Sequence, residues 1–275
     1  MPLAVVLELT AIHSGQYHNA TGKGVHGWWF HRWETYHPEK ESELHEPNRV
    51  SSFTLSSLQG LPQPDTAGVI SIEAGQPAWL RFTVLDEELE MLILKPKNGW
   101  LAKLPPTVTV ADLSWHIQAV HTTPAGHPWA GRTAYAQLRT LLDLTSPPAH
   151  WLLEVASPLA FNGGKSQFPF PNPDLVIRSL LQRWNVFSPD PLPEELIETA
   201  RQSLVFTQYA LHTETLKEGK AKTIGCVGQV GWRAVDMHPA LRLGVNLLLD
   251  YAFYAGVGYH TTRGMGQTRL LKRGV

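Results

Sequence analysis

The feature that most constrains this chain is a glycine-rich segment near its C-terminus, residues 256–266, which reads GVGYHTTRGMG. Two Gly-apolar-Gly units enclose five residues that carry an aromatic ring, an imidazole, two hydroxyls and a guanidinium. Because glycine tolerates positive φ and close backbone approach, such a segment predicts a loop whose N–H groups face a phosphate chain. A glycine-rich turn at a sheet edge is the alternative, although four glycines exceed what one turn requires.

Two familiar phosphate loops do not fit this segment. A P-loop places Lys-Ser/Thr directly after its last glycine, whereas Gly266 is followed by Gln267 and Thr268. The dinucleotide fingerprint joins a strand to a helix, whereas this segment follows a predicted helix over 240–254 and precedes a predicted strand over 268–271. The segment therefore indicates a phosphate-binding loop of another kind.

Charge is nearly balanced over the 275 residues, with 23 Lys and Arg against 24 Asp and Glu. From His212 to Val275, however, the sequence contains nine basic residues and only four acidic ones. Beside the glycine-rich segment, this local excess favours a surface that binds an anionic backbone. The single cysteine, Cys226, allows no internal disulfide and no cysteine zinc site. The N-terminus lacks a basic n-region and no apolar run approaches about 20 residues, so we expect a cytoplasmic protein without a membrane partner.

Apolar periodicity predicts two halves with similar layouts. Strands are predicted over 3–10, 51–58, 68–74, 78–84 and 107–120 and then over 151–156, 204–216 and 223–235, with helices over 24–36, 87–95, 175–184, 193–203 and 240–254. This order is the ferredoxin-like, RRM-like pattern, so the predicted fold class is α+β with two tandem ferredoxin-like domains. A stretch rich in Pro and Gly over 121–132 marks the seam, and we place the domains at 1–125 and 126–275.

Aromatic residues are dense in the first predicted helix. Trp28, Trp29 and Trp33 recur at helical spacing, which favours a buried face over a platform for stacking bases. A homodimer contact through this helix is a further alternative.

The string GhGxxxxxGhG, in which h is apolar, matches residues 256–266 at every position. It resembles the C-terminal glycine-rich loop of the endoribonucleases that cut precursor CRISPR RNA, the sixth family of Cas proteins within the RAMP superfamily. The residues that carry the resemblance are this segment and the region 44–58. The resemblance implies two ferredoxin-like domains side by side, with a catalytic histidine in the first and RNA crossing their basic faces and the glycine-rich loop.

In that family the catalytic histidine commonly follows the first helix, shortly before a strand with a Phe-Thr pair. His45 lies at this place, ahead of Phe53 and Thr54, and is therefore our predicted catalyst. The family's tyrosine and lysine partners are replaced here by Phe30 and Ser51. We therefore expect charge stabilisation from residues in their vicinity: Arg49, Arg32 or His31.

RNA carries its own nucleophile, the 2′-hydroxyl, so a histidine that moves protons can cleave it without a metal. The expected products are a 2′,3′-cyclic phosphate and a 5′-hydroxyl end. Thirteen histidines also raise the alternative of a metal-dependent hydrolase. No HExxH motif occurs, and His26 and His31 are five residues apart instead of four, so we expect no metal and no cofactor.

The predicted RNA contacts combine the glycine-rich segment with nearby cations: Gly256, Gly258, His260, Arg263, Gly264, Gly266, Lys165, Lys217, Lys220, Lys222, Arg233 and Arg269. The expected partner is CRISPR repeat RNA, as precursor and as mature product, with subunits of a CRISPR effector complex as further partners. The alternative function is a non-catalytic RNA-binding RAMP subunit of such a complex.

Overall fold

A computed structural model describes residues 1–18, 20–46, 49–164, 166–218 and 221–274. The chain divides into two compact units. The first contains Met1–Arg132, Lys217–Ala221 and Thr262–Gly264, and the second contains Thr133–Leu216, Lys222–Thr261 and Met265–Val275. Three residues of the glycine-rich segment thus belong to the first unit, and the others belong to the second.

The first unit is built on one antiparallel sheet. Its elements are β1 (Leu3–Ala11), β2 (Gly15–Tyr17), α1 (Gly22–Tyr36), α2 (Pro38–Leu44), β3 (Phe53–Leu55), β4 (Ile70–Ile72), β5 (Pro77–Val84), α3 (Glu87–Leu94), β6 (Thr107–Val110), β7 (Leu113–His121) and β8 (Gly131–Arg132). The sheet order is β3-β5-β1-β7-β6, and β8 pairs with the start of β1. Residues 126–132 therefore lie with the first unit, beyond the boundary that we predicted at 125.

The aromatic face of α1 forms the core of this unit. Trp29 and Trp33 are completely buried and pack with Trp100 at ring-centroid distances of 5.3 and 5.9 Å. Alternate residues of β1 enter the same cluster, and because Leu3–Leu7 are all buried, both faces of this part of the strand are covered. The tryptophans of α1 are therefore core residues, as their spacing predicts. Asp86 caps α3, since its carboxylate accepts a hydrogen bond from the Leu89 amide at 2.9 Å.

One helix of this unit was not predicted, and one predicted strand was wrong. The acidic stretch after Pro38 forms α2, because proline suits the first turn of a helix. The single strand expected over 107–120 is the hairpin of β6 and β7, which turns at Ala111 with a φ of 50°. No glycine or asparagine marks that turn, so the apolar pattern reads as continuous.

The second unit repeats the architecture with longer strands. Its elements are α4 (Tyr135–Arg139), a 3-10 turn (Thr140–Asp143), β9 (His150–Leu159), β10 (Phe161–Asn162), β11 (Gln167–Phe168), α5 (Pro173–Phe187), α6 (Glu195–Ser203), β12 (Leu204–Glu218), β13 (Ala221–Ala234), α7 (Pro239–Ala255), a second 3-10 turn (Thr261–Arg263) and β14 (Thr268–Gly274). The sheet order β12-β13-β9-β14 is ferredoxin-like. The predicted α+β class with two tandem ferredoxin-like domains is confirmed.

Candidate active site

His45 stands at the C-terminal end of α2, where its side chain is about half exposed. Its Nδ1 contacts Oε1 of Glu41, one helical turn earlier in the same helix. A carboxylate at this nitrogen fixes the orientation of the ring and leaves Nε2 to face a ligand. The helix is itself held by Lys40, whose Nζ lies 2.5 Å from Oε2 of Glu43 and 2.8 Å from Oε2 of Glu88.

Phe30 on α1 joins His45 to a second histidine. The rings of Phe30 and His45 stack with centroids 3.7 Å apart and planes 9° from parallel. The His26 ring meets Phe30 edge-on, with centroids 4.7 Å apart. His26 and Phe30 are four residues apart, so they share one face of the helix. The buried Phe30 ring therefore has an imidazole on each of two sides, and we call these three residues the histidine cluster.

His26 is half-buried and held by a main-chain carbonyl. Its Nδ1 lies 3.0 Å from the carbonyl oxygen of Thr262, so Nδ1 carries the hydrogen and donates it. Burial lowers the pKa of His26 below its ordinary value of 6.5, against the opposing effect of this hydrogen bond, and the positive charges of Arg263 and His45 lower the pKa further. His26 is therefore a neutral imidazole near pH 7, with the lone pair of Nε2 available to accept a proton.

Residues 262–264 reach this cluster because glycine allows close packing. The Gly264 amide donates to the Leu55 carbonyl at 3.0 Å, next to an isolated bridge between Gly264 and Ser56. A Cβ at Gly264 would lie 2.2 Å from Oγ of Ser57, and the φ of Gly264 is 92°. Any larger residue would push this segment away, and with it the cation Arg263 that acts on His26.

The glycines in the second unit use their amides inside the protein, which corrects our expectation that these amides face a phosphate chain. The amide of Gly256 donates to Ala252 O at 2.9 Å, that of Gly258 to Ser179 Oγ at 2.9 Å and that of Gly266 to Pro158 O at 3.0 Å. The amide of Gly264 likewise donates to a carbonyl inside the protein, that of Leu55. These glycines therefore shape the loop, and the side chains that it presents are the candidate RNA contacts.

Three of the four predicted catalytic residues do not join the histidine cluster. His31 and Arg32 line a groove beside β6, on another face of α1. Arg32 donates through Nη2 to the carbonyl of Lys103. Arg49 is held by acids, since its Nη1 lies 3.0 Å from Oε1 of Glu43, which offsets the charge that we expected it to supply. Of the predicted set, the structure brings only His45 to the cluster.

The other predicted RNA contacts are dispersed over the two units. Lys217 lies in the first unit, where its Nζ approaches Gly68, while Lys222 and Arg233 are exposed on β13. Arg269 is paired with Glu154 at 2.5 Å, and the half-buried His260 ring stacks on Tyr259 with centroids 3.6 Å apart. The remaining two, Lys165 and Lys220, lie outside the described residues.

Sequence reasoning missed His26 and the position of Phe30 between two imidazoles. The available signal was the spacing of four residues between His26 and Phe30 on α1, whereas we tested only the spacing of His26 and His31, for metal ligation. Within the described ranges, no group of three or more His, Cys, Asp or Glu side chains is placed to hold a metal ion. Over the same ranges no helix combines the length and the apolarity needed to cross a membrane.

Two ferredoxin-like units in tandem, with a glycine-rich segment that contributes to both, define a protein of the RAMP type. The family model for the CRISPR Cas6 N-terminal domain matches residues 1–140, and the model for the CRISPR-associated endoribonuclease Cas6 matches residues 153–268. The chain belongs to the Cas6 family, and the resemblance drawn from the glycine-rich segment is confirmed.

Individual relatives agree with this placement. A CRISPR-associated endoribonuclease Cas6 from Streptococcus thermophilus is 25% identical over 119 residues, which cover 42% of this chain and 49% of the relative. The match thus spans about half the length of that curated relative. A Cas6 product complex superposes with a TM-score of 0.78 at 28% identity, covering 98% of this chain and 99% of the other. Thermus thermophilus Cas6 has a TM-score of 0.72 at 27% identity, covering 98% of both chains.

Proposed function

We propose that this protein is a metal-independent endoribonuclease that cleaves precursor CRISPR RNA within its repeats. Membership of the Cas6 family supports a general role in CRISPR RNA processing. The observation that carries the finer proposal is the histidine cluster, in which two imidazoles with different hydrogen-bond partners lie against one phenyl ring. Cleavage by an internal nucleophile requires one group to accept a proton and another to donate one, and two histidines meet that need.

His26 is the general base in this proposal. Its Nδ1–H is engaged by the Thr262 carbonyl, and Nε2 takes the proton from the 2′-hydroxyl of the nucleotide before the cleaved linkage. The 2′-oxygen then attacks the phosphorus. The lowered pKa of His26 keeps this nitrogen unprotonated near neutral pH, so the base is present in its active form.

His45 is the general acid. The bond between phosphorus and the 5′-oxygen breaks, and the leaving oxygen takes a proton from Nε2 of the His45 imidazolium. Glu41 stabilises this imidazolium through Nδ1, and the stacked Phe30 face adds a cation–π attraction. The products are a 2′,3′-cyclic phosphate and a 5′-hydroxyl end. Proton exchange with water or buffer then returns both histidines to their starting protonation states.

Arg263 supplies the positive charge that the pentavalent phosphorane requires. It lies close enough to lower the pKa of His26 and takes the role that we had first given to Arg49, Arg32 or His31. Three exposed cations, Lys217, Lys222 and Arg233, would contribute phosphate contacts that position the RNA without reading its sequence.

The test is single-turnover cleavage of a CRISPR repeat RNA in excess EDTA. We expect cutting by the unaltered protein, loss of cutting with His45→Ala, and loss with an RNA that is 2′-deoxy at the cleaved nucleotide, while both changes preserve binding. Tight binding without cleavage by the unaltered protein would favour the non-catalytic RAMP subunit. Activity that EDTA abolishes would favour a metal-dependent hydrolase.

A further inference from the structure

The face of α1 opposite the histidine cluster forms one wall of a groove with a volume of about 670 Å³. Gly27, Trp28, His31 and Arg32 line it from the helix, and Lys103 lines it from the segment before β6. At 100° per residue, the groove residues of α1 are centred roughly 150° around the helix axis from His26 and Phe30. The groove is therefore a separate surface of the same helix.

The lining has the chemistry of an anion site. Arg32, Lys103 and His31 contribute basic groups, three threonines add hydroxyls, and no lining residue in the described part of the chain is acidic. Glu34 approaches Nδ1 of His31 at 3.4 Å from outside the lining, with both side chains largely exposed. In water such an exposed pair is weak, so it leaves most of the positive charge of the groove available.

Arg32 is fixed in place without a carboxylate partner. Its guanidinium carbon lies 5.6 Å from the Trp100 ring and 5.9 Å from the Tyr36 ring, and Nη2 donates to the Lys103 carbonyl. Its Nε is buried and has no hydrogen-bond partner among the described residues. By contrast, Arg49, Arg132 and several other arginines contact carboxylates. A rigid guanidinium that lacks an internal anion is suited to bind an external one.

Lys103 shares this property. Its Nζ lies 5.9 Å from the Tyr36 ring, and within the described ranges it makes no ion pair with a carboxylate. The groove also has an apolar lining from Pro105 and from Trp28, which is buried. Cations beside an apolar wall fit a ribose–phosphate chain, because its phosphates need charge and its sugars and bases accept apolar contact.

We propose that this groove binds a segment of the RNA that flanks the cleaved linkage. The inference rests on the proposed function, since it assigns the groove to the same substrate as the histidine cluster. A strand that passes around α1 reaches the groove after crossing a helix about 10–12 Å in diameter. His31 and Arg32, which sequence analysis placed at the catalytic centre, then serve as binding residues for the flank.

Gly27 provides the sharpest test because a Cβ there would have no atom within 4 Å. Gly27→Phe fills the groove without an initial clash, and Gly27→Ala is the matched control that leaves most of the groove open. Both remove a glycine from the interior of α1, so the Ala variant should raise Tm. A retained or raised Tm for the Phe variant separates a blocked groove from a damaged fold.

The measurement is the Kd of a fluorescein-labelled CRISPR repeat RNA that is 2′-deoxy at the cleaved nucleotide. We expect Gly27→Phe and Lys103→Ala each to weaken binding about 3- to 10-fold, and Lys103→Ala to reduce the slope of log Kd against log salt by about one. With an RNA trimmed to the nucleotides around the cleaved linkage, these changes should disappear. Single-turnover cleavage at saturating protein should stay within about twofold of the unaltered rate.

An unchanged Kd for both variants on the full repeat would overturn the groove assignment, as would equal losses on full and trimmed RNA. If the groove binds a protein segment and not RNA, the Kd for RNA would also be unchanged in both variants. If the unaltered protein fails to cleave but the two variants still weaken RNA binding, the proposed function fails and the groove assignment stands.

Discussion

The ring of His45 lies flat against the ring of Phe30, with centroids 3.7 Å apart and planes 9° from parallel. This stack and the contact of Nδ1 with Glu41 constrain an otherwise half-exposed side chain at the end of a short helix. A preorganised imidazole loses less orientational freedom when substrate arrives, which is part of how such a group accelerates proton transfer.

Glu41→Gln tests the support that the carboxylate gives to His45. The amide keeps the size and one acceptor but cannot stabilise an imidazolium by charge. We expect the single-turnover rate to fall roughly 10-fold, less than the roughly 100- to 10,000-fold loss expected for His45→Ala, with RNA affinity within about threefold. Glu39→Gln on the same helix is the matched control, and an equal loss there would show a general charge effect.

The pH dependence of cleavage should report the lowered pKa of His26. A base works in its unprotonated form, so a lowered pKa extends its activity towards acid. We predict that the rising limb of kcat/KM has its midpoint below 6.5, the ordinary histidine value. In His26→Gln that limb should disappear from the residual activity. A rising limb centred above 6.5 in the unaltered protein would contradict this role.

Lys40 should matter for stability because it ties α2 to α3. Its buried side chain bridges Glu43 and Glu88, and burial of the uncharged stem adds packing. Lys40→Met keeps the stem but removes the cation shared by the two acids, and Glu43 retains its contact with Arg49. Since both acids are partly exposed, we expect a loss of only about 1–2 kcal/mol in urea unfolding. Glu88→Gln removes only the pair between Lys40 and the largely exposed Glu88. It should therefore lower the free energy of unfolding by less than about 1 kcal/mol.

The glycines of the C-terminal segment should prove structural. Gly266 has a φ of 70°, and a Cβ there would lie 2.0 Å from the Val257 carbonyl oxygen. Gly266→Ala should therefore lower the free energy of unfolding by at least about 2 kcal/mol. Gly27→Ala, at a helical position with open space, should instead raise the free energy of unfolding. Equal stability of Gly266→Ala and the unaltered protein would show that the loop relaxes without cost.

Much of the fold follows from periodicity in the sequence. The continuous apolar run of β1 and the aromatic spacing of α1 are both local signals, and both were confirmed. The turn at Ala111 and the helix α2 were missed because neither carries glycine, asparagine or an apolar stripe. Proline in its first turn favours α2 locally, but the helix is also held by the contact of Lys40 with Glu88, which no local pattern contains.

The candidate site was only partly accessible to sequence reasoning. His45 came from a family resemblance, and its catalytic role stays a prediction. His26 was passed over because histidine spacing was judged by the needs of a metal, whereas its partner is a carbonyl 236 positions away. The expected phosphate-facing glycine amides were misjudged for a similar reason. A glycine pattern predicts loop shape, but which acceptor each amide meets depends on strands distant in sequence.

The most direct test of the central claim uses an RNA with sulfur in place of the bridging 5′-oxygen at the cleaved linkage. Thiolate leaves without protonation, so this substrate needs the base but not the acid. We predict that His45→Ala cleaves it at close to the rate of the unaltered protein, whereas His26→Ala remains at least about 100-fold slower. Rescue of His26→Ala but not of His45→Ala, or equal rates for His26→Ala and the unaltered protein, would contradict the account.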